Sequence, residues 1–222
     1  LRPPVLPDYR VVIAAGPTRE YLDPVRFLSN PSSGRTGFAL AAAAQAAGAA
    51  VTLIHGPVER TPPTGIKVEA VTSAAEMHRA VMAAAQDADV VFMTAAVADW
   101  QPAEHHDIKQ KKNGQTQSLD FVRTPDILAC LGQLPIEERP ILVGWAAETG
   151  DPVPAARDKR VRKNVDLIVA NDVSQAGCGF GTETNVVTLV DETGETTLPM
   201  QSKSAIADVL IEWVGQRLGR AT

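Results

Sequence analysis

The segment 16–37, GPTREYLDPVRFLSNPSSGRTG, follows a short apolar run and precedes an alanine-rich stretch. Ser32, Ser33, Gly34 and Gly37 stand at the predicted start of a helix, where backbone N–H groups are unpaired and the helix dipole is positive. Small residues there let a phosphate approach the backbone, so the segment predicts a phosphate cradle. An N-cap at Ser33 and a turn at Gly34 would explain the pattern equally well. The segment is neither a Walker A motif nor a GxGxxG fingerprint.

A second candidate is the segment 93–100, MTAAVADW, in which an apolar run ends in small residues and a carboxylate. The side chains of Ala95 and Ala96 would leave room for a ligand. Asp99 could hold a ribose hydroxyl or a cation bound to phosphates. The alternative is that Asp99 caps a turn before Pro102.

Two basic clusters could clamp a polyphosphate with point charges: residues 105–112, HHDIKQKK, and residues 157–163, RDKRVRK. Lys159 and Lys163 are four residues apart and so share one face of a predicted helix. The adjacent histidines of the first cluster lack HxH or HxxxH spacing, which argues against zinc. A solvated basic face is the alternative interpretation of both clusters.

Apolar runs alternate with helical patterns along the chain. Strands are predicted at 10–15, 50–55, 66–71, 89–95, 141–146 and 166–170, and helices at 38–47, 74–88, 125–134 and 155–164. This alternation indicates an α/β fold, a Rossmann-like and mostly parallel sheet with helices on both faces. The candidate segments follow strands, and ligands of such sheets bind at the carboxyl ends of the strands. The sequence therefore predicts one nucleotide site at that edge.

The C-terminal part changes pattern. Runs at 185–190 and 195–198 flank the turn DETG and predict an antiparallel hairpin as an appendage, before a final amphipathic helix at 204–218. Neither a repeat nor a low-complexity tract divides the chain. Residues 1–9, rich in proline, are interpreted as a linker or tail, and residues 10–222 as one domain.

Composition excludes several classes of protein. Twenty-six acidic residues against 21 basic ones give a net charge of −5, which offers nucleic acid no general electrostatic grip. The two cysteines form no CxxC pair, which argues against a zinc ribbon or a disulfide scaffold. We find no apolar run long enough for a bilayer and no signal peptide, and therefore expect a soluble cytoplasmic protein without a membrane partner.

With these residues in view, the sequence resembles the phosphopantothenate–cysteine ligase family, the synthetase module of coenzyme A biosynthesis. The resemblance extends from about residue 11 to residue 218. It rests on an ordered series of motifs: AGPTREYLDPVRFLSNPSSGRTG, AAVADW, the lysine loop, TPDIL, VGWAAETG, ARDKRVRKN, DLIVANDVS and GFGTETNVVTLV.

The resemblance implies a homodimer that uses CTP, with Mg²⁺, to activate the carboxylate of 4′-phosphopantothenate as an acyl-cytidylate, releasing pyrophosphate. The amine of cysteine then displaces CMP. A flavin-dependent decarboxylase domain is often fused upstream in this family. It is absent from this chain, so we expect no flavin here.

The resemblance also implies roles for single residues. Asn30 would contact the acyl intermediate and Lys109 would act as a catalytic flap lysine, with Arg26 and Ala96 as further substrate contacts. Asp99 would also serve as the metal ligand. The implied CTP-binding residues are Ser33, Gly34, Gly37, Ala95, Asp99, Lys109, Pro125, Asp126, Ile127, Leu128, Trp145, Lys159 and Lys163.

Two departures from the family pattern limit this transfer. The lysine loop of the family commonly reads KIKK, whereas here it reads KQKK from Lys109, so that Lys111 remains an alternative flap lysine. The aromatic residue after VG is often Phe, and Trp145 still offers a stacking face but changes the shape of the pocket.

Two other functions were weighed. A non-catalytic nucleotide sensor would keep the fold without the chemistry, and the presence of Asn30, Asp99 and the lysines argues against it. An NAD(P)-dependent oxidoreductase is suggested by the fold class alone. The absence of GxGxxG after the first strand, and of an evident Tyr-x-x-x-Lys pair, argues against that enzyme.

Overall fold

The computed structural model describes residues 5–111, 114 and 118–219. The strands are β1 (Arg10–Ala15), β2 (Arg19–Tyr21), β3 (Phe27–Ser29), β4 (Ala50–His55), β5 (Lys67–Ala70), β6 (Val90–Met93), β7 (Trp100–Pro102), β8 (Phe121–Arg123), β9 (Ile141–Glu148), β10 (Leu167–Asp172), β11 (Thr184–Val190) and β12 (Glu195–Ser202). The helices are α1 (Arg35–Ala46), α2 (Ala74–Ala85), α3 (Ile127–Gly132), α4 (Val153–Lys163) and α5 (Lys203–Leu218).

Eight strands form the main sheet, in the order β12-β11-β10-β9-β6-β1-β4-β5. The six strands from β10 to β5 pair in parallel, while β11 is antiparallel to β10 and β12 to β11. The predicted α/β class with a mostly parallel sheet is therefore confirmed.

The predicted C-terminal antiparallel hairpin is confirmed as β11 and β12, and it continues the main sheet instead of forming an appendage. Strand β11 pairs with β10, with Ile168 opposite Val190 and Ala170 opposite Thr188. Val187 and Val190 of β11 are buried, and Leu189 is 7% exposed. Pairing with β11 buries these apolar residues and covers the edge of β10 that would otherwise expose unpaired backbone groups.

Two helical layers cover the sheet. Alternate residues of β1 face opposite ways, so that Val11 and Ile13 pack towards α1 and α5, while Val12 and Ala14 pack towards α2, α3 and α4. Burial on both faces explains why the central strands are continuous apolar runs rather than alternating ones.

Two small hairpins were not predicted: β2 pairs with β3, and β7 with β8, all antiparallel. Each strand has only three residues, which is too short for an alternating pattern to identify it. The two hairpins lie against each other through β2 and β7.

Element boundaries shift where side chains cap or extend them. Helix α3 begins at Ile127 and not at residue 125, because the Asp126 carboxylate accepts a hydrogen bond from the Ala129 N–H at 3.0 Å. Strand β9 continues to Glu148, since β10 pairs with it to that point. In the described part of residues 1–9, Leu6 is buried and its N–H donates to the Ala47 carbonyl at 2.9 Å. None of the helices in the described part of the chain is long and apolar enough to cross a bilayer.

Candidate functional site

A cleft of about 810 Å³ lies at the carboxyl edge of the parallel strands. All of the predicted site residues except Arg26 and Lys109 line it: Asn30, Ser33, Gly34, Gly37, Ala95, Ala96, Asp99, Pro125, Asp126, Ile127, Leu128, Trp145, Lys159 and Lys163. They come from segments far apart in the chain, and the parallel topology brings them together at one edge. The volume falls in the range of small-molecule sites.

The N-terminus of α1 opens into this cleft without a side-chain cap. Gly34 occupies the N-cap position with φ +72°, and no side chain caps the helix. The alternative in which Ser33 is the N-cap is therefore wrong. A positive φ favours glycine at position 34. Glycine is required at position 37 for a different reason. A Cβ there would lie 2.4 Å from the Cβ of Ala15, so its absence lets α1 pack closely on β1.

Asn30 joins the end of β3 to the segment that follows β6. Its amide nitrogen donates to the carbonyl oxygens of Ala96 and Val97, at 3.2 Å each. The same segment is held from the other side, since the Ala96 N–H donates to the Gly16 carbonyl at 2.9 Å. The predicted substrate residues Asn30 and Ala96 therefore lie next to each other and are fixed by backbone groups.

Asp99 and Lys159 face the middle of the cleft. The Lys159 ammonium donates to the Trp145 carbonyl at 2.6 Å. Burial lowers the pKa of Lys159, and the nearby carboxylates of Glu148 and Asp99 oppose this effect. The Asp99 carboxylate makes no hydrogen bond with the described residues, so it does not cap the turn before Pro102 in this structure.

Lys163 is buried at the back of the site, with 8% of its surface exposed. It forms an ion pair with Asp126, the N-cap residue of α3. Burial lowers the pKa of Lys163. The pair joins α4 to the start of α3 and so fixes the PDIL segment against the basic helix.

Arg26 and Lys109 lie outside the cleft. The Arg26 guanidinium donates to the buried Asp23 carboxylate at 2.5 and 3.0 Å and to the Gln110 carbonyl at 3.1 Å. Asp23 also accepts from the Gln110 N–H at 3.1 Å. The hydrogen bonds from Arg26 hold the pKa of Asp23 far below its usual value. Lys109 and Lys111 are exposed on the same loop, and Lys112 lies outside the described residues.

The cleft contains polar residues that the motifs did not assign a role. Their positions span both ends of the site: Arg35, Arg123, Arg162, Asn171, Asn185 and Lys203. Asn171 lies at the carboxyl end of β10. Lys203 is a single lysine at the start of α5, outside the basic clusters. Only its burial distinguishes it from a surface lysine, and burial is not visible in the sequence.

The cleft offers oxygen ligands suited to a nucleotide-bound magnesium ion. Among the described residues there is no group of three or more His, Cys, Asp or Glu side chains that could hold a metal alone. The carboxylates of Asp99 and Glu148 both line the cleft. Mg²⁺ is commonly held by one or two carboxylates together with substrate phosphates, and this donor set fits that arrangement.

Comparison with known families identifies the chain. The model of the DNA/pantothenate metabolism flavoprotein C-terminal domain matches residues 6–218. The chain belongs to this family. The match covers the cleft and both helical layers, and it begins at the buried Leu6.

Relatives in this family are coenzyme A biosynthesis bifunctional proteins, CoaBC. The chain is 45% identical to that of Vibrio cholerae over 218 residues, covering 97% of this chain and 54% of the relative. It is 48% identical to that of Bacillus subtilis over 204 residues, covering 91% and 50%. The chain thus spans about half the length of these relatives. The crystal structure of the C-terminal domain of a CoaBC protein superposes with a TM-score of 0.83, at 36% identity, covering 98% of this chain and 99% of that one.

Proposed function

We propose that this chain joins cysteine to 4′-phosphopantothenate at the expense of CTP, through an acyl-cytidylate, giving 4′-phosphopantothenoylcysteine, CMP and pyrophosphate. The observation that carries the proposal is the single cleft in which the α1 N-terminus, Asn30, Asp99 and two lysines converge. Family membership with CoaBC proteins, which act in coenzyme A biosynthesis, supports it.

The nucleotide would lie across the carboxyl edge of the sheet. Residues 125–128 supply apolar surface for a base at the start of α3, and Trp145 supplies aromatic surface from β9. Lys159 lies next to the Trp145 carbonyl, and Lys163 next to Asp126. The phosphates would extend to the N-terminus of α1, where unpaired N–H groups and the helix dipole favour negative charge. Asp99 lies exposed in the same cleft, where it can hold a ribose hydroxyl or a cation.

In the first step a carboxylate oxygen of phosphopantothenate attacks the α-phosphorus of CTP. An O–P bond forms, the bond from that phosphorus to the bridging oxygen of pyrophosphate breaks, and pyrophosphate leaves with the bonding electrons. Two anions must approach each other, so neutralisation by Lys159 and positioning matter more than a covalent nucleophile. Mg²⁺, held by Asp99 and the phosphates, would add charge neutralisation on the phosphate oxygens.

In the second step the cysteine amine attacks the acyl carbonyl, a C–N bond forms, and CMP leaves as the C–O bond breaks. The amine loses one proton to solvent or to the departing phosphate. Asn30 lies on the substrate side with its amide fixed on Ala96 and Val97. An amide orients a carbonyl or an amine without titrating itself, which suits a residue that contacts the acyl intermediate.

The lysine loop would complete the site. Lys109, or Lys111, is proposed to act as the flap lysine, and Arg26 as a substrate contact. Both Lys109 and Arg26 lie outside the cleft of one chain. Because Arg26 and Gln110 are held on the same carboxylate, Asp23, movement of this loop and a change of the Arg26 contacts would occur together.

We also propose that the chain works as a homodimer. Large apolar side chains are exposed on the two small hairpins and the chain beside them: Val25, Phe27, Leu28, Trp100, Leu119, Phe121 and Val122. Contiguous exposed apolar surface commonly marks an interface. A second copy of the chain would cover it and would place another hairpin next to the site.

The cellular context follows the relatives. CoaBC proteins are bifunctional and about twice as long as the matched segment, and we propose that a flavin-dependent decarboxylase domain precedes this one in the natural protein. The free thiols of Cys130 and Cys178 suit the reducing cytoplasm, where we place the reaction.

The direct test is to incubate the purified chain with 4′-phosphopantothenate, cysteine and Mg²⁺, with CTP or ATP, and to follow pyrophosphate and the ligated product. We expect product with CTP and little with ATP. Binding of CTP without pyrophosphate release would favour a nucleotide sensor. Binding of NADPH without binding of CTP would favour an oxidoreductase.

A further inference from the structure

The end of the cleft next to β10 and β11 holds a buried lysine. Lys203, the first residue of α5, is 7% exposed and lines the cleft. Its ammonium donates one hydrogen bond, to the Gly179 carbonyl at 3.0 Å. An ammonium has three donors, so Lys203 can donate further hydrogen bonds to a ligand.

Arg35, the first residue of α1, lines the same end of the cleft. Its side chain is 28% exposed and pairs with Glu183, whose own side chain is 74% exposed. The Nε of Arg35 is buried and has no hydrogen-bond partner among the residues that the structure describes. A buried donor without a partner is costly, and a ligand oxygen would satisfy it.

Two arginines, Arg35 and Arg60, lie close enough to Lys203 to affect its charge. Burial lowers the pKa of Lys203, and Arg35 and Arg60 lower it further, while the only opposing group is the thiol of Cys178. Arg35 is paired with Glu183, whereas no carboxylate forms an ion pair with Lys203 in the part of the chain that the structure describes. Buried cations in proteins are normally paired, so this arrangement calls for an anionic ligand.

The position in the fold indicates which anion. Arg35 is the first residue of α1, and the proposed function places the phosphates at the N-terminus of this helix. Lys203 lies on the same face of the sheet, because α1 and α5 pack against each other there. Of the proposed base surface, Ile127 and Leu128 lie towards α3 and α4 on the other face, whereas Trp145 packs against the cluster formed by α1 and α5. The buried amides of Asn171 and Asn185 also line the cleft.

We propose that Lys203 and Arg35 form a subsite for the terminal phosphates of the nucleotide, and that this subsite holds pyrophosphate as it leaves. The inference depends on the proposed function for the identity of the nucleotide. The bonds that form and break are those of the first step given above. The two cations stabilise the negative charge that collects on pyrophosphate when its bond to the α-phosphorus breaks.

The test compares three ligands by isothermal titration: CTP, CMP and inorganic pyrophosphate with Mg²⁺. In Lys203→Met we expect the affinities for CTP and pyrophosphate to fall by about tenfold or more, because charge-assisted hydrogen bonds to phosphate are lost. The affinity for CMP, which lacks the terminal phosphates, should change by less than about twofold. Lys203→Arg should restore much of the CTP affinity. The matched control is Lys67→Met, on the exposed edge strand β5.

Lys203 is buried, so thermal unfolding must show that the variant is folded. If Lys203→Met does not fold, Arg35→Met carries the same test at a partly exposed position. Equal weakening of CTP and CMP, or no change in either, would overturn the subsite. So would an increase confined to the KM for cysteine, which would assign the two cations to the cysteine carboxylate. Binding of pyrophosphate that depends on Lys203 in a chain without ligase activity would remove the proposed function and leave the subsite standing.

Discussion

Asn30 is a neutral side chain whose amide nitrogen donates to two backbone carbonyls, those of Ala96 and Val97. The same cleft is lined by Lys159 and Lys203, and burial lowers the pKa of both. At the scale of single residues, the site thus separates two tasks. In the proposed reaction the amide would fix the substrate without titrating, and the lysines would supply charge for the phosphates.

This separation predicts the behaviour of Asn30→Ala. Turnover should fall by about 100-fold, a typical cost of removing a group that acts on the reacting carbonyl. The Kd for CTP should change by less than about threefold, since the lysines and the α1 N-terminus remain. Mass spectrometry of quenched reactions would detect accumulated acyl-cytidylate. Turnover at the normal rate would remove Asn30 from the mechanism.

The buried lysines predict a pH dependence of CTP binding. Burial lowers the pKa of Lys159, Lys163 and Lys203, so they lose their charge at a lower pH than exposed lysines do. CTP binds better to the charged form, so its affinity should begin to fall before the pH at which exposed lysines titrate.

Titrations from about pH 7 to about pH 10 would follow this loss, since an ordinary lysine titrates near the upper limit. Cytidine, which carries no phosphate, is the control ligand, and its affinity should remain constant. An affinity for CTP that is constant over the whole range would contradict the assignment of these lysines to the phosphates.

The β2–β3 hairpin and the lysine loop behave as one element. Asp23, between β2 and β3, accepts hydrogen bonds from the backbone N–H groups of Val25, Arg26 and Gln110, and from the Arg26 guanidinium. Four residues before Gln110, the His106 N–H donates to the Leu22 carbonyl at 3.0 Å. The loop that carries Lys109 is therefore positioned by a hairpin more than 80 residues earlier in the chain.

Asp23→Asn should release this loop. The neutral amide loses the ion pair with Arg26 and can accept fewer of the backbone hydrogen bonds, so Lys109 should become more accessible. We expect trypsin to cleave after Lys109 or Lys111 about tenfold faster, because cleavage follows the population of the open loop. The KM for substrates should rise as well.

The matched control is Asp107→Asn, which removes a fully exposed carboxylate from the same loop. Its cleavage rate and KM should match those of the unmodified protein. If Asp23→Asn and Asp107→Asn behave alike, the Asp23 contacts do not position the loop.

For the whole molecule, the distribution of exposed apolar side chains is uneven. The two small hairpins and the chain beside them carry many of those in the described residues, among them Phe27, Leu28 and Val122. The hairpins lie at the same end of the sheet as the cleft, since the loop after β1 and the segment after β6 form both. Association through this surface would bring a second chain close to the site.

Val122→Asp should therefore convert a dimer into a monomer and reduce turnover. A charge in the centre of an apolar interface costs several kcal/mol, roughly 100-fold or more in the dissociation constant. Sedimentation equilibrium would measure the molar mass. The control is Ile136→Asp, at an exposed apolar residue far along the chain from the hairpins. If the unmodified protein is a monomer, or if Val122→Asp remains dimeric, this interface is wrong.

Local patterns were sufficient to predict the parallel strands and the helices that alternate with them along the chain. Strands β1, β6 and β9 are buried on both faces, and a continuous apolar run is the direct consequence. The two short hairpins were not predicted, because strands of three residues are too short to show a periodic pattern. The attachment of β11 to β10 was not predicted either, since pairing between distant strands leaves no local signal.

The sequence by itself determined the α/β class, the edge of the sheet at which the cleft lies, and 14 of the residues that line the cleft. These follow from periodicity and from motifs at strand ends, which are local properties of the chain. Tertiary structure alone decided that Gly34 caps α1, that Asp23 holds Arg26 and Gln110, and that Lys203 is buried beside Arg35. The contact of Asp23 with Gln110 and the position of Lys203 beside Arg35 depend on groups distant in sequence, and a side chain's solvation and partners are set only when the chain has packed.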